Sequence, residues 1–145
     1  LFNQVLAQRV YQGNWDQLLE GDVVMLDGTH SVFLCDAGDP QQVQRCRAFD
    51  LHPTGPLPGI GGFSPLGVAA QLEASVLEPH RDLIEALGKA RVDADRRSLR
   101  LRVESMLWRF HGSELHLDFA LPPGSYATTV IDELVSAKDG THVRN

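Results

Sequence analysis

The side chains that could perform acid–base or metal chemistry are scattered along this sequence rather than grouped. The six histidines form neither an HxxxH nor an HExxH spacing, and the nearby acidic residues add no series of metal ligands. No serine stands in a GxSxG turn, and no carboxylate stands in a pattern that nominates it as a nucleophile or base. We therefore predict neither a metal site nor a complete set of catalytic residues.

The most specific local pattern is LPPGSYATT, at residues 121–129. A Pro-Pro-Gly turn follows a strand-like run there and precedes a helix, which we expect Ser125 to cap. The free N–H groups at such a helix start suit a phosphate or a nucleobase carbonyl. Tyr126 lies beside that start, where an aromatic ring can stack on an unpaired base. A helix cap with a core tyrosine is the other interpretation of these residues.

The positive charges are concentrated in one stretch of an acidic chain. The sequence has 13 Lys and Arg against 19 Asp and Glu, a net charge of −6, which taken alone argues against nucleic-acid binding. Residues 89–109 instead carry seven positive and three negative side chains, a net of +4. Because charges beyond about 8–10 Å are screened, this local charge decides whether a phosphate binds. A solvated charged face is the alternative interpretation.

Length and composition limit the class of protein. A chain of 145 residues with 43% apolar residues is one domain's worth of sequence and can build a buried core. It contains no apolar run of the roughly 18 residues that a membrane span needs and no secretory signal, so we expect a cytoplasmic protein. Cys35 and Cys46 form neither a zinc spacing nor a disulfide framework. The chain begins at Leu1, inside a helical pattern, so we expect a fragment.

Apolar spacing predicts the elements of the first two thirds of the chain. Residues 1–12 form an amphipathic helix, and residues 23–26 and 32–34 are strands joined by an Asp-Gly hairpin. A helix over residues 41–49 follows Pro40 and is capped by Asp39. Residues 53–67 contain four prolines and five glycines and predict a long loop, excluding a helix or a central strand. Two helices follow, separated at Pro79.

From Leu99 onward the apolar period changes to two. Residues 99–110 alternate between apolar and polar side chains, Gly112 and Ser113 turn the chain, and residues 115–119 return. This pattern predicts a half-buried antiparallel hairpin with Arg100 and Arg102 on its polar face. A final helix begins near Ser125. The predicted fold class is α+β.

Four segments together resemble the TruD family of tRNA pseudouridine synthases. They are LFNQ at residues 1–4, GDVVMLDG at 21–28, HPTGPL at 52–57 and LPPGSYAT at 121–128. They occur in the order of the family and near its spacing, and they span essentially the whole chain. The last segment is the most specific of the four.

The resemblance implies a fold and a reaction. Members of the family convert a uridine of tRNA, typically at position 13, to pseudouridine with neither cofactor nor metal. Their pseudouridine-synthase catalytic domain contains a mixed sheet and is interrupted by a family-specific α+β insertion domain. By this likeness residues 1–92 are the later part of the insertion domain, and residues 93–145 are the C-terminal piece of the catalytic domain.

The resemblance also implies which residues act. The nucleophilic aspartate of the family lies upstream of everything in this chain, so no aspartate here receives that role, and the missing N-terminal half is an expected partner. Tyr126 matches the aromatic residue that packs against the target uracil. With tRNA as the substrate, Arg96, Arg97, Arg100 and Arg102 become candidate phosphate contacts.

Three functional hypotheses stay open on the sequence. The first is an RNA-modifying isomerase of which this chain is the C-terminal half. The second is a non-catalytic fragment that binds RNA or a protein. The third is a stand-alone domain for a small ligand, with the Gly/Pro-rich loop as its lid.

Overall fold

The chain divides into two compact units, Leu1–Arg100 and Leu101–Asn145. The computed structural model describes residues 1–135. The first unit continues past residue 92, after which the sequence predicts a division between two domains, because the strand Asp95–Ser98 pairs within the sheet of this unit. A strand cannot leave the sheet that supplies its hydrogen bonds without exposing an unpaired edge.

The four helices of the first unit confirm the helices that the sequence predicts there. They are α1 (Phe2–Tyr11), α2 (Pro40–Arg47), α3 (Gly67–Leu77) and α4 (Arg81–Lys89), with a 3₁₀ turn at Glu78–His80. The Asp39 side chain accepts a hydrogen bond from Gln41 N and caps α2 as predicted. None of the helices in residues 1–135 is long and apolar enough to cross a membrane.

The sheet of the first unit has four antiparallel strands. They are β1 (Val23–Leu26), β2 (Val32–Leu34), β3 (Leu51–Leu57) and β4 (Asp95–Ser98), in the spatial order β2-β1-β3-β4. The predicted hairpin of β1 and β2 is confirmed. The core beside it contains Val24, Cys35, Cys46 and Leu51, so the strands and α2 share one buried cluster.

The prediction that the Gly/Pro-rich stretch contains no central strand was wrong. β3 includes Pro53 and Pro56 and lies between β1 and β4. It pairs with β1 through Leu51–Pro53 and with β4 through Thr54–Leu57. Because the two halves of β3 pair with different neighbours, this strand needs fewer N–H donors than one paired on both sides throughout.

The rest of that stretch is the predicted loop, and backbone contacts hold it in place. Ile60 N donates to Val92 O at 2.8 Å, and Ala94 N donates to Ile60 O at 3.0 Å. Gly59 permits this approach, since a Cβ there would lie 2.4 Å from Val92 O. A segment pinned in this way is not a free lid, which removes the feature on which the small-ligand hypothesis depended.

A buried ion pair joins α1 to the turn before β1. Arg9 Nη1 and Nη2 donate to the Asp22 carboxylate at 3.0–3.2 Å, and Nη2 also donates to Gln17 O at 2.7 Å. Asp22 accepts a further bond from Leu19 N at 2.7 Å. Both side chains are buried, so each charge depends on the other for its partner.

The second unit contains a hairpin and one helix among its described residues. β5 (Glu104–His111) and β6 (Glu114–Ala120) pair antiparallel across the predicted turn, and α5 (Ala127–Leu134) follows. The expected half-burial is wrong here, because Trp108 and Phe110 are 67% and 66% exposed. A two-stranded sheet with a single short helix has too little surface to cover an apolar face. The chain before β5, residues 99–103, is also not a strand.

Replacing Arg9 tests how much its buried ion pair with Asp22 stabilises the fold. Arg9→Ala leaves the Asp22 carboxylate buried without its guanidinium, and we expect the free energy of unfolding to fall by about 3–5 kcal/mol in urea denaturation. Arg45→Ala is the matched control, since it removes an ion pair with Asp50 whose two side chains are 44% and 46% exposed. That change should cost less than about 1 kcal/mol. Equal effects of the two variants would contradict the assignment.

The buried thiol of Cys35 predicts loss of stability in alkali. Burial, with Asp22 as the next cause, raises its pKa from 9.0 to about 11. Because the pKa of this thiol is higher in the folded state, its contribution to the free energy of unfolding is fully present below pH 9. That contribution is lost as the pH rises through 11. The urea midpoint should therefore fall over that interval, and Cys35→Ala should fall less. An equal fall in both chains would show that other groups are responsible.

Candidate functional site

The start of α5 is built by a tight turn. Ser125 N donates to Pro122 O at 3.3 Å, and Gly124 has φ 82°, which makes residues 122–125 a type II turn with Pro123 and Gly124 at its centre. The predicted cap is wrong by one residue. Tyr126 is the N-cap, with extended backbone, and no side chain caps the helix. The turn uses the Ser125 N–H, and Tyr126 is the residue where helical geometry begins.

Tyr126 presents its ring at the surface. The residue is 71% exposed, so the interpretation as a core tyrosine does not fit the described part of the chain. Its carbonyl accepts the first backbone bond of α5, from Thr129 N at 3.2 Å. Because this bond holds the backbone of Tyr126 while its ring is exposed, the ring is a suitable stacking surface.

A shallow apolar cavity of about 280 Å³ lies beside α5 within the second unit. Its walls include Leu101, Val103 and Met106 on one side and Val130 and Leu134 on the other. Tyr126 does not line this cavity. The candidate stacking ring therefore lies outside this cavity.

Arg96 does not face solvent as the phosphate hypothesis requires. It is 4% exposed. Its Nη1 and Nη2 donate to the Glu73 carboxylate at 2.9 and 2.6 Å, while Nε donates to Thr54 Oγ1 at 3.0 Å. Burial raises the pKa of Glu73, and the Arg96 guanidinium opposes that shift. Because all three nitrogens are used inside the fold, we correct the prediction that Arg96 contacts RNA.

Arg97 and Arg102 are exposed, and Arg97 alternates with Arg96 along β4. The Arg97 guanidinium lies 5.4 Å from the centre of the Phe2 ring. Gly55, its register partner, has no side chain, and a Cβ there would lie 3.0 Å from the Phe2 ring. Arg102 lies in the irregular segment before β5.

Arg100 is part of a fixed polar cluster instead of the polar face of a strand, which corrects its predicted position. Its Nε donates to His52 Nδ1 at 2.9 Å, and its Nη2 donates to Leu51 O at 2.7 Å and to Cys46 O. Since His52 Nδ1 accepts, Nε2 carries the proton and donates to Asp27 Oδ1 at 2.7 Å. The cluster ties β1, β3 and the end of α2 to the residue that closes the first unit.

A cavity that the sequence did not predict opens against Arg100. We name it the Arg100 cavity; it has a volume of about 490 Å³ and lies within the first unit. Its walls are formed by the segment that follows α1, the C-terminal part of α2, Phe49 and Arg100. The lining residues are Trp15, Asp16, Gln17, Leu18, Val43, Cys46, Arg47, Phe49 and Arg100. Trp15 and Phe49 were visible in the sequence, but their proximity depends on the fold.

Comparison with known proteins decides the family. The family model described as tRNA pseudouridine synthase D (TruD) matches residues 1–134. The chain belongs to the TruD family. A TruD relative described as tRNA pseudouridine synthase D of Aeromonas hydrophila subsp. hydrophila is 42% identical over 142 residues, with 98% of this chain and 40% of the relative covered. Another, from Xanthomonas euvesicatoria pv. vesicatoria, is 42% identical, with 96% and 38% covered.

A solved structure supports the TruD fold. The chain described as tRNA pseudouridine synthase D (TruD) from Methanosarcina mazei superposes with a TM-score of 0.72 at 23% identity, and the match covers 94% of this chain and 36% of that chain. The present chain thus spans about 40% of the length of the curated TruD relatives that it matches. Among residues 1–135, no three His, Cys, Asp or Glu side chains are grouped as a metal site.

The structure explains one of the TruD-like segments in physical terms. Residues 52–57 form most of β3, and two of their side chains hold arginines. His52 accepts from Arg100, Thr54 accepts from Arg96, and Thr54 Oγ1 donates to Val23 O at 2.5 Å. The segment is therefore structural, because its polar side chains are used within the sheet.

Replacing Gly124 tests the turn that places Tyr126. A Cβ at Gly124 meets nothing within 4 Å, so Gly124→Ala adds only the strain of φ 82°. We expect a cost of about 1 kcal/mol, seen as roughly fivefold faster amide hydrogen exchange at Ser125 by NMR. Gly88→Ala, in open space within α4, is the control and should leave that exchange unchanged. An unchanged Ser125 rate in Gly124→Ala would contradict the turn assignment.

Proposed function

We propose that the protein of which this chain forms part converts a uridine of tRNA, typically at position 13, to pseudouridine. The family match over residues 1–134 is the observation that carries the proposal. We assign the unit Leu1–Arg100 to the insertion domain and residues 101–145 to the catalytic domain, moving the predicted division to the structural boundary. We also place the protein in the cytoplasm, as expected for an enzyme of tRNA modification.

The proposed reaction uses residues of this chain together with residues expected upstream of it. The target uridine leaves its stack, the bond between N1 and the ribose breaks, and a bond from C5 replaces it, with the C5 proton lost to solvent. The aspartate expected upstream attacks C1′ of the ribose as the bond to N1 breaks; when C5 then bonds to C1′ the aspartate leaves, and N1 takes up a proton in place of the one lost from C5. Tyr126, exposed at the start of α5, stacks on the detached uracil so that it rotates instead of escaping. Neither a cofactor nor a metal enters this scheme.

Two of the four candidate arginines stay in the proposal as phosphate contacts. Arg97 and Arg102 are exposed, and a guanidinium at the surface can bind a phosphate with two N–H groups. Arg96 is removed because Glu73 and Thr54 occupy its donors. tRNA is the proposed partner of this surface, together with the N-terminal half of the same protein.

A second candidate function is a non-catalytic RNA- or protein-binding fragment. The exposed apolar side chains of β5 favour it for the chain taken alone, since Trp108 and Phe110 offer a contact surface. Release of tritium from tRNA labelled at C5 of uridine separates the two candidates. We expect release with the full-length protein and none with residues 1–145 alone; no release with either would overturn the isomerase proposal.

Substitution of Tyr126 tests its role in the full-length protein. Tyr126→Ala removes the stacking ring, and we expect turnover in the tritium-release assay to fall about 5–150-fold, the range expected for loss of one stacked base. The Kd for tRNA should change little, because phosphate contacts carry most of the affinity. Tyr126→Phe is the control and should retain turnover. Equal losses of turnover and tRNA binding in Tyr126→Ala would refute the role.

A further inference from the structure

The Arg100 cavity is lined by the types of side chain that are suited to recognise an unpaired nucleotide. Trp15 and Phe49, each 38% exposed, supply two aromatic rings. Arg47 and Arg100 supply two positive charges against the single carboxylate of Asp16. The volume of about 490 Å³ lies within the range of about 300–1,000 Å³ usual for sites that enclose a small molecule.

Arg100 and Phe49 form a rigid wall of this cavity. The Arg100 guanidinium lies 4.2 Å from the centre of the Phe49 ring, and His52 and two backbone carbonyls hold it in place. Phe49 has φ 62°, a backbone conformation that a bulky side chain adopts only at a cost. Such backbone strain persists only where surrounding contacts compensate its cost. At Phe49 the strained conformation holds an aromatic ring at the cavity wall.

Arg47 and Arg45 differ in what they are free to bind. Arg45 Nε donates to Asp50 Oδ2 at 2.5 Å, so its charge is already paired. Arg47, on the same helix, lines the cavity and forms no ion pair with any residue from 1 to 135. An exposed arginine without an acidic partner, beside two aromatic rings, is suited to a phosphate next to a stacked base.

Asp16 adds an acceptor to the same cavity. Its backbone carbonyl accepts from Arg100 Nη1 at 3.5 Å, which leaves the carboxylate to contact a ligand. A carboxylate can accept from a ribose 2′-hydroxyl or from a base N–H, whereas it would repel a ligand that is only an anion. The lining therefore favours a nucleotide over a simple phosphate or an acidic peptide.

We propose that the Arg100 cavity binds one unpaired nucleotide of an RNA, with the base against Trp15 and Phe49 and the phosphate at Arg47. This inference rests on the proposed function for its RNA substrate, and it adds a second contact to that of Tyr126, formed by residues of the first unit. Stacking on an aromatic ring is tolerant of base identity. The cavity therefore contributes affinity and positioning rather than the choice of the reacting uridine.

Fluorescence of Trp15 tests the cavity directly. The 145-residue chain has two tryptophans, so Trp108→Phe leaves Trp15 as the reporter, and the exposed position of Trp108 makes this change mild. Titration with a six-nucleotide oligouridylate should quench the emission saturably. Arg47→Ala and Phe49→Asn should each weaken binding about fivefold or more. Asn tolerates the positive φ of residue 49, and thermal unfolding verifies that each variant is folded.

Two controls give the experiment outcomes that overturn the proposal. Arg45→Ala should bind the oligouridylate as the parent chain does, and a loss equal to that of Arg47→Ala would mean that only diffuse charge is involved. Inorganic polyphosphate should quench Trp15 weakly, and quenching equal to that by RNA would indicate an anion site with no role for the base. Absence of quenching by RNA in the folded parent would also reject the site.

The tritium-release assay separates this inference from the proposed function. In the full-length protein Arg47→Ala should raise KM for tRNA several-fold while kcat changes little, because the proposed contact binds a nucleotide other than the reacting uridine. If the full-length protein releases no tritium but Trp15 is still quenched, the isomerase proposal fails and the nucleotide site stands. If tritium is released and Arg47→Ala has the parental KM, the nucleotide site fails alone.

Discussion

The guanidinium of Arg96 is the contact on which the first unit depends. It is buried between α3 and the sheet, where Glu73 neutralises its charge and Thr54 accepts two of its hydrogen bonds. Thr54 in turn donates to Val23, so one cation links β4, β3, β1 and α3. A charge buried this deeply requires every one of these partners, and that requirement fixes their relative positions.

The arginines of the stretch at residues 89–109 differ in their surroundings, because some supply hydrogen bonds inside the fold and others are exposed. Arg96 donates to the Glu73 carboxylate on α3 and Arg100 donates to the Leu51 carbonyl of β3, while Arg97 and Arg102 are exposed. A run of positive charge in a sequence does not reveal this division, because the partners lie 42 and 48 residues away in the chain. Local charge alone therefore does not distinguish the buried or half-buried arginines of this stretch from the exposed ones.

The candidate functional residues are distributed over both units. Tyr126 is set by a turn and a helix start that follow one another in the chain, whereas the Arg100 cavity is assembled from the segment after α1, the end of α2 and the last residue of the first unit. The role proposed for Tyr126 follows from membership of the TruD family, and the role proposed for the Arg100 cavity follows from the chemistry of its side chains.

The sequence by itself determined the family, four helices of the first unit, both hairpins and the Pro-Pro-Gly turn before α5, because each depends on neighbouring residues or on a motif of adjacent letters. Only the tertiary structure decided that β3 accommodates Pro53 and Pro56, that Arg96 is buried and that β5 is exposed. The reason is physical: the cost of a proline in a strand, a buried cation or an uncovered apolar face is set by partners distant in the chain.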